Sequence, residues 1–314
     1  MNISVIKKTP GLQTHFAHGV LLVLLGAACF STKAIFVKLC YQHGVDSITA
    51  LMFRMIFALP YYLWVLLFSP QVKLMSIQKS SYGKLLLLGL AGYYIASLFD
   101  FMGLQYVQAN LERLIIFIYP TIVLAFGVWF FHRRINRQQV VAVTITYLGI
   151  LIACLSQDFG PMDKNLEWGI LYIFISAVSY AFYLAFSDDL IEKIGVPAFN
   201  SISMVISIVA VLIHFGIVYG IRLTGYDWQV YMYGALMGVI ATVIPTVALA
   251  KGISLIGSSN AAILSTFGPV ATILMSYFIL HEPFSLLQGI GTVFVLLGVL
   301  YLGLKGKMNQ NSTH

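Results

Sequence analysis

The amino-acid sequence predicts an all-α integral membrane protein with ten transmembrane helices, arranged as two inverted five-helix repeats. Three features support this fold class: an apolar composition, apolar stretches of spanning length, and a residue pattern that recurs in the second half. Of the 314 residues, 60% are hydrophobic and 9% are charged, and the mean hydropathy is +0.90. Soluble domains carry about 25% charged residues. A water-soluble fold of this length could not bury so much apolar surface, so lipid must be part of the solvent.

Ten apolar stretches are long enough to form spanning helices, each of which needs roughly 20 residues. The first five are predicted at 17–41, 47–68, 83–106, 109–131 and 138–156. The second five are predicted at 167–187, 199–221, 230–253, 258–280 and 284–304. Connections such as 41–47 and 254–258 are too short to hold a soluble domain.

The distribution of basic residues indicates the orientation. With the N-terminus in the cytoplasm, twelve Lys and Arg residues fall in cytoplasmic segments, and the outer loops carry only Lys164 and Arg222. Because Lys/Arg bias sets orientation, we expect a multi-pass protein of the bacterial inner membrane with both termini cytoplasmic. The same topology accounts for the net charge of +7, so no nucleic-acid partner is expected.

An internal repeat divides the chain into two predicted units, 1–156 and 157–314. Three residues of the first unit recur 149 positions later without a gap: Gly103 as Gly252, Pro120 as Pro269, and His132 as His281. Each unit contains five spans, an odd number, so the two units enter the membrane from opposite sides. Inverted repeats of this kind are typical of transporters that bind substrate near the midplane and work by alternating access.

Several short motifs carry a resemblance to a known family. The sequence resembles the EamA-type transporters of the drug/metabolite transporter superfamily, and the resemblance covers nearly the whole chain. It rests on these segments: Phe30-Ser31-Thr32-Lys33, Phe53-Arg54, Gly103-Leu104-Gln105-Tyr106, Tyr119-Pro120, Gly268-Pro269 and Glu282-Pro283. The resemblance implies ten spans, two five-helix domains and transport of small organic metabolites, often outward. The loop after the fourth span departs from the family's Gly-Glu pattern, because it reads His132-Arg133-Arg134.

Ionisable residues within spans are costly and usually face the bundle interior or a wet cavity. Lys33 aligns in the repeat with Tyr183, and Tyr183 lies on a polar face of the sixth span. We therefore expect Lys33 to face a central cavity. The alternative is a lysine that snorkels to the outer headgroups. Arg54 requires a partner, either Asp100 or an acidic group of the substrate. A purely structural ion pair is the alternative for Arg54.

The third span places Tyr93, Ser97 and Asp100 on one face, at steps of four and three residues. The predicted substrate-binding residues are Lys33, Arg54, Tyr93, Ser97, Asp100, Tyr180, Tyr183, Thr246 and Asn260. Glu112 and Arg113 are predicted to act in gating or coupling, with an interfacial ion pair as the alternative. Pro120 and Pro269 are predicted to kink the fourth and ninth spans.

The combined pattern predicts a secondary active transporter that exports an amino acid or related small metabolite by alternating access. A channel or facilitator and a lipid scramblase are the alternatives. His-Glu-x-x-His and Gly-x-Ser-x-Gly motifs are absent from the sequence, so we expect no enzyme activity, no metal and no cofactor. The expected partners are a small-molecule substrate, the lipid bilayer and a proton carried by Asp100 or Glu112; the oligomeric state is left open. Replacing Lys33 by Met is expected to preserve folding and weaken transport of a carboxylate-bearing substrate.

Overall fold

The computed structural model describes residues 10–70, 72, 77–132, 137–155, 165–220, 223–257, 261, 264, 265 and 267–310. These residues form α-helices, short helical turns and connecting loops, and contain no β-strand. The helices are α1 (Pro10–Gln42), α2 (Ser47–Phe68), α3 (Tyr82–Gly89), α4 (Ala96–Leu104), α5 (Ala109–Ile116), α6 (Tyr119–Phe131), α7 (Arg137–Leu155), α8 (Leu166–Ile194), α9 (Val196–Tyr219), α10 (Trp228–Gly238), α11 (Ile244–Ile256), α12 (Phe267–Leu280) and α13 (Leu286–Gln310).

Seven helical stretches of the described chain are long and apolar enough to cross a membrane: His15–Gln42, Ser47–Phe68, Lys79–Leu104, Ala109–Phe131, Leu166–Ile194, Val196–Tyr219 and Trp228–Ile256. Three further helical stretches are apolar but shorter: Val140–Ile152, Phe267–Leu280 and Leu286–Gly298. Large apolar side chains such as Trp129 and Ile217 are exposed on the outside of the bundle. Exposure on this scale is stable only in lipid, so the chain is a multi-pass integral membrane protein.

Two of the long helical stretches are interrupted by π-helical turns. Leu90–Ile95 joins α3 to α4, and Val239–Val243 joins α10 to α11. The two turns begin 149 residues apart, which is the spacing of the sequence repeat. A π-turn widens the helix and displaces backbone carbonyls, and such turns frequently occur at functional sites. Hydroxyl groups from neighbouring helices donate to carbonyls beside the first turn: Ser207 Oγ to Gly89 O and Ser179 Oγ to Ala91 O, both at 2.7 Å.

Glycines allow three pairs of helices to pack closely. A Cβ added at Gly252 of α11 would lie 3.2 Å from the carbonyl oxygen of Gly19 in α1. A Cβ at Gly103 of α4 would lie 3.0 Å from the carbonyl oxygen of Gly169 in α8. Gly298 brings α13 against α7 in the same way, at 2.8 Å from the carbonyl oxygen of Ala142. Small residues at helix crossings permit this backbone approach in membrane proteins.

The predicted fourth span, 109–131, is broken rather than gently kinked. Helix α5 ends at Ile116, and α6 begins at Tyr119 with Pro120 in its first turn. Proline is favoured there, because the first-turn N–H groups have no intrahelical acceptor. Pro269 lies in α12, and residue 266 is outside the described residues, so the kink expected in the ninth span stays a prediction.

Candidate functional site

Lys33 lies at the centre of a buried ion-pair network. Its Nζ is 2.5 Å from Asp100 Oδ2 and 3.4 Å from Glu112 Oε1. The three side chains come from α1, α4 and α5, and their exposed fractions are 8%, 3% and 0%. A lysine this buried does not snorkel to the headgroups. Because buried charges are stabilised only when they are paired, Lys33 is the group that keeps two carboxyls inside the bundle.

Arg113 adjoins Glu112 in the chain, and we call Lys33, Asp100, Glu112 and Arg113 the charge cluster. Its Nη2 donates to Ser31 Oγ at 3.1 Å, and its guanidinium lies 4.9 Å from the ring centroid of Phe30. Three buried atoms of the cluster have no hydrogen-bond partner among the described residues: Asp100 Oδ1, Glu112 Oε2 and Arg113 Nε. Unsatisfied buried polar atoms are costly, so this cluster is built for something other than stability alone.

Arg54 forms a second site, which we call the arginine site: Arg54, Ser97 and Thr242. Arg54 Nε donates to Thr242 Oγ1 at 3.0 Å, and Nη1 donates to Ser97 Oγ at 3.1 Å. The guanidinium also lies 5.6 Å from the ring centroid of Phe101. Among the described residues, no carboxylate lies within ion-pair distance of Arg54. Of the two partners expected for Arg54, Asp100 pairs with Lys33 instead, and an acidic group of the substrate stays a prediction.

The arginine site connects the two π-turns. Thr242 belongs to the turn Val239–Val243 and donates to Met237 O, five residues back, at 2.9 Å. Ser97 lies in α4, just after the turn Leu90–Ile95. Each turn thus supplies or adjoins a hydroxyl that faces the guanidinium. This geometry places a buried cation where α2 of the first predicted unit meets the π-turn between α10 and α11 of the second.

The remaining described residues of the predicted substrate site are Thr246, Tyr93, Tyr180 and Tyr183. Thr246 Oγ1 lies 3.1 Å from the hydroxyl of Tyr62 and donates to Thr242 O at 2.8 Å. Tyr93 and Tyr183 meet edge to face with ring centroids 5.2 Å apart. Tyr180 stacks on Tyr183 at 6.0 Å. The structure therefore brings Tyr93, Tyr180 and Tyr183 into one aromatic group. The hydroxyls of Ser97 and Thr242 contact Arg54, and Thr246 contacts Thr242. Asn260 lies outside the described residues.

Two expectations for the charge cluster require correction. Glu112 and Arg113 do not pair with each other in the described contacts; Glu112 pairs with Lys33, and Arg113 bonds Ser31. Replacing Lys33 by Met would leave two buried carboxylates without their cation, so the expectation that folding survives is not supported by this arrangement. Tyr62 was missed, because a single hydroxyl in an apolar helix gives no sequence signal, and Ser31 was noted only as part of the segment Phe30-Ser31-Thr32-Lys33. Thr242 could have been found, since it aligns with Tyr93 in the repeat.

A separate contact joins the loop after α12 to the start of α5. The backbone N–H of Ala109 donates to Glu282, with both carboxylate oxygens at 3.0 Å. Gln288 Oε1 accepts a hydrogen bond from Asn110 Nδ2 at 3.4 Å. This bond links α13 to α5 and adds to the contact made by the loop. Burial raises the pKa of Glu282 above its usual range, against the opposing effect of the Ala109 hydrogen bond. A carboxylate at this position also complements the positive end of the α5 dipole.

A family model describes both halves of the sequence. The EamA-like transporter family matches residues 17–155 and again residues 167–304. The chain belongs to the EamA-like transporter family. Its resemblance to that family, which the motifs indicated, is thereby confirmed.

Relatives in several organisms extend the comparison. The chain is 31% identical over 297 residues to the uncharacterized transporter YcbK of Bacillus subtilis, covering 92% of this chain and 95% of the relative. It is 25% identical to the uncharacterized inner membrane transporter YicL of Salmonella typhimurium, covering 92% and 96% of the two chains. A solved crystal structure of 13% identity superposes with a TM-score of 0.62, covering 93% of this chain and 98% of the other. That structure shares the fold, and the family and relatives establish a membrane transporter rather than pointing to an enzyme.

Proposed function

We propose that this protein is a secondary active transporter that moves a small organic anion or zwitterion, such as an amino acid, by alternating access. The proposed architecture is ten spans in two inverted halves, 1–156 and 157–314. The seven long and three shorter apolar helices together supply ten candidate spans. The lysine and arginine distribution supports cytoplasmic termini in a bacterial inner membrane, and the family resemblance favours export.

Reciprocal contacts support the inverted arrangement. Gly252 packs on Gly19, and its repeat counterpart Gly103 packs on Gly169, the counterpart of Gly19. A contact from the second half onto the first is thus matched by a contact from the first half onto the second, as a pseudo-twofold axis requires. The left-handed backbone conformations at His132 and His281 recur at the same spacing, with φ of 51° and 52°. Two halves that share a fold can exchange conformations across such an axis.

The guanidinium of Arg54, which has no carboxylate partner among the described residues, is the observation that carries the substrate proposal. A buried cation is costly unless it meets an anion, and the described chain supplies hydroxyls to Arg54 instead of a carboxylate. A substrate carboxylate or phosphate would complete the pairing, since guanidinium binds both in a fork geometry. Tyr93, Tyr180 and Tyr183 would then contact the organic part of the solute. Lys33, predicted as an anion-binding residue, is already neutralised by Asp100 and takes a supporting role.

The proposal is tested by ligand-induced thermal stabilisation of purified protein, using amino acids, carboxylic acids and phosphate monoesters as probes. A solute that binds the folded state raises the unfolding temperature by mass action. We expect Arg54→Met to abolish the stabilisation given by the best anion, because about 1.5–3 kcal/mol of charge-assisted hydrogen bonding is lost, corresponding to tenfold to hundredfold weaker binding. Lys84→Met removes an exposed cation that pairs with Asp189 and serves as the matched control.

Transport of the selected solute in proteoliposomes then separates the candidate functions. Saturable uptake that Arg54→Met reduces supports a carrier. Flux that rises linearly with solute concentration would indicate a channel instead, and movement of labelled lipid without solute flux would indicate a scramblase. Equal stabilisation of the wild type and Arg54→Met by every anion would refute the assignment of Arg54.

A further inference from the structure

The two acidic residues of the charge cluster share one cation. Asp100 and Glu112 both contact the ammonium group of Lys33, so their two carboxyl groups lie side by side. Asp100 Oδ1 and Glu112 Oε2 are the buried oxygens that lack a donor. Two neighbouring carboxylates repel when both are ionised, and such pairs commonly retain a proton between them. One lysine compensates one of the two charges, and a proton would compensate the other.

No other charged group among the described residues forms an ion pair with the two carboxyls. Arg113, adjacent to Glu112 on α5, directs Nη2 to Ser31 and stacks over Phe30. Arg54, from α2, is bonded to Ser97 and Thr242. Tyr41, from α1, donates its hydroxyl to Phe101 O. Helices α8 and α12 also pack on α5, and their described residues place no Asp, Glu, Lys or Arg within ion-pair distance of the two carboxyls.

We propose that Asp100 and Glu112 together hold one exchangeable proton, carried on Glu112, and that this pair is the ion-coupling site of the transporter. Asp100 is the ionised member, because its oxygen lies nearer the lysine, at 2.5 Å against 3.4 Å for Glu112. Protonation converts the Glu112 carboxylate to a carboxylic acid and breaks no other bond. The new O–H becomes a donor for Asp100, so one proton relieves both unsatisfied acceptors. The coupling role rests on the proposed function, whereas proton binding by the pair does not.

Infrared spectroscopy of the purified protein tests proton binding without any substrate. At pH about 7, roughly three units above the usual carboxyl pKa of about 4, we expect a carbonyl-stretching band from one protonated carboxylic acid. Glu112→Gln should lose the band. Asp100→Asn should lose it too, because the remaining carboxylate then has Lys33 to itself. Lys33→Met should roughly double it, because neither carboxyl retains a cation.

Loss of the band on removing either carboxyl distinguishes a shared proton from an independently protonated residue. Glu192→Gln, which alters an exposed carboxyl at the end of α8, should leave the band unchanged. Glu112→Gln resembles the protonated state and is expected to fold; size-exclusion chromatography checks every variant, and the two amide variants suffice if Lys33→Met does not fold. The absence of the band from the wild type, or its persistence in both amide variants, would overturn the proposal.

Coupling is tested separately in proteoliposomes with the anion selected by thermal stabilisation. We expect the solute flux of the wild type to change with an imposed pH gradient. The flux of Glu112→Gln should be independent of that gradient. Wild-type flux that ignores the gradient would overturn the coupling role while leaving the solute-transport function standing. Absence of any saturable flux would instead count against the proposed function, whatever the infrared result.

Discussion

Removing the cation from the charge cluster is the perturbation for which the structure gives the clearest magnitude. Lys33→Met keeps the length of the side chain but leaves Asp100 and Glu112 buried beside each other, with exposed fractions of 3% and 0%. Removing one partner from a buried ion pair costs about 3–5 kcal/mol, because the remaining charge is left uncompensated. At about 2–4 °C per kcal/mol, the unfolding temperature should fall by on the order of 10 °C.

A second substitution makes the expectation specific to charge. Asp100→Asn in the Lys33→Met background removes one of the stranded carboxylates, so the double variant should recover a large part of the lost stability. Residues that contact each other give non-additive effects of this kind in a double-mutant cycle. Lys33→Met should also regain stability as the pH falls, because its folded state must bind protons on the buried carboxyls that the unfolded chain does not hold at neutral pH.

The measurement is thermal unfolding of each purified variant in the same detergent, followed by intrinsic fluorescence. An unfolding temperature of Lys33→Met equal to that of the wild type would show that Lys33 does not hold the carboxyls in the bundle. A double variant no more stable than Lys33→Met would show that the loss comes from packing and not from uncompensated charge. Either result would also remove the basis for a shared proton.

Two further predictions concern helix packing and the contact between Glu282 and the start of α5. Gly298→Ala should destabilise the fold by about 1–3 kcal/mol, because the new Cβ would lie 2.8 Å from Ala142 O. Gly216→Ala, with open space around it, should be neutral or slightly stabilising. Thermal unfolding of both variants checks this prediction, and equal effects would contradict the helix contact. The raised pKa of half-buried Glu282 contributes stability that is complete below its usual value of 4.5 and is lost as the pH rises through the folded-state value. The stability of the wild type relative to Glu282→Gln should therefore decrease from acid to neutral pH, and unfolding temperatures that show the opposite trend would be inconsistent with burial as the cause.

Local properties of the chain were readable from the sequence. Hydropathy over roughly 20 residues identifies a spanning helix whatever its neighbours are, so the membrane class and the apolar helices follow from the sequence. At Pro120 the sequence predicted a kink, and the structure has a break between α5 and α6. The cost of charge in lipid likewise selected Lys33, Arg54, Asp100 and Glu112 as residues that must face the interior. The motifs indicated the family, and the family match confirms it.

Partner choice was decided only by the tertiary structure. The sequence suggested Asp100 as a partner for Arg54, and the packing of α1, α4 and α5 brings it to Lys33 instead. The π-turns at Leu90–Ile95 and Val239–Val243 left no signal in composition, since one additional residue in a turn does not alter hydropathy. Pairing depends on how distant segments cross, and a crossing is fixed by contacts such as Gly252 against Gly19 rather than by either segment alone. The sequence therefore determines which charges must find partners in the membrane, while the helix crossings determine which partners they find.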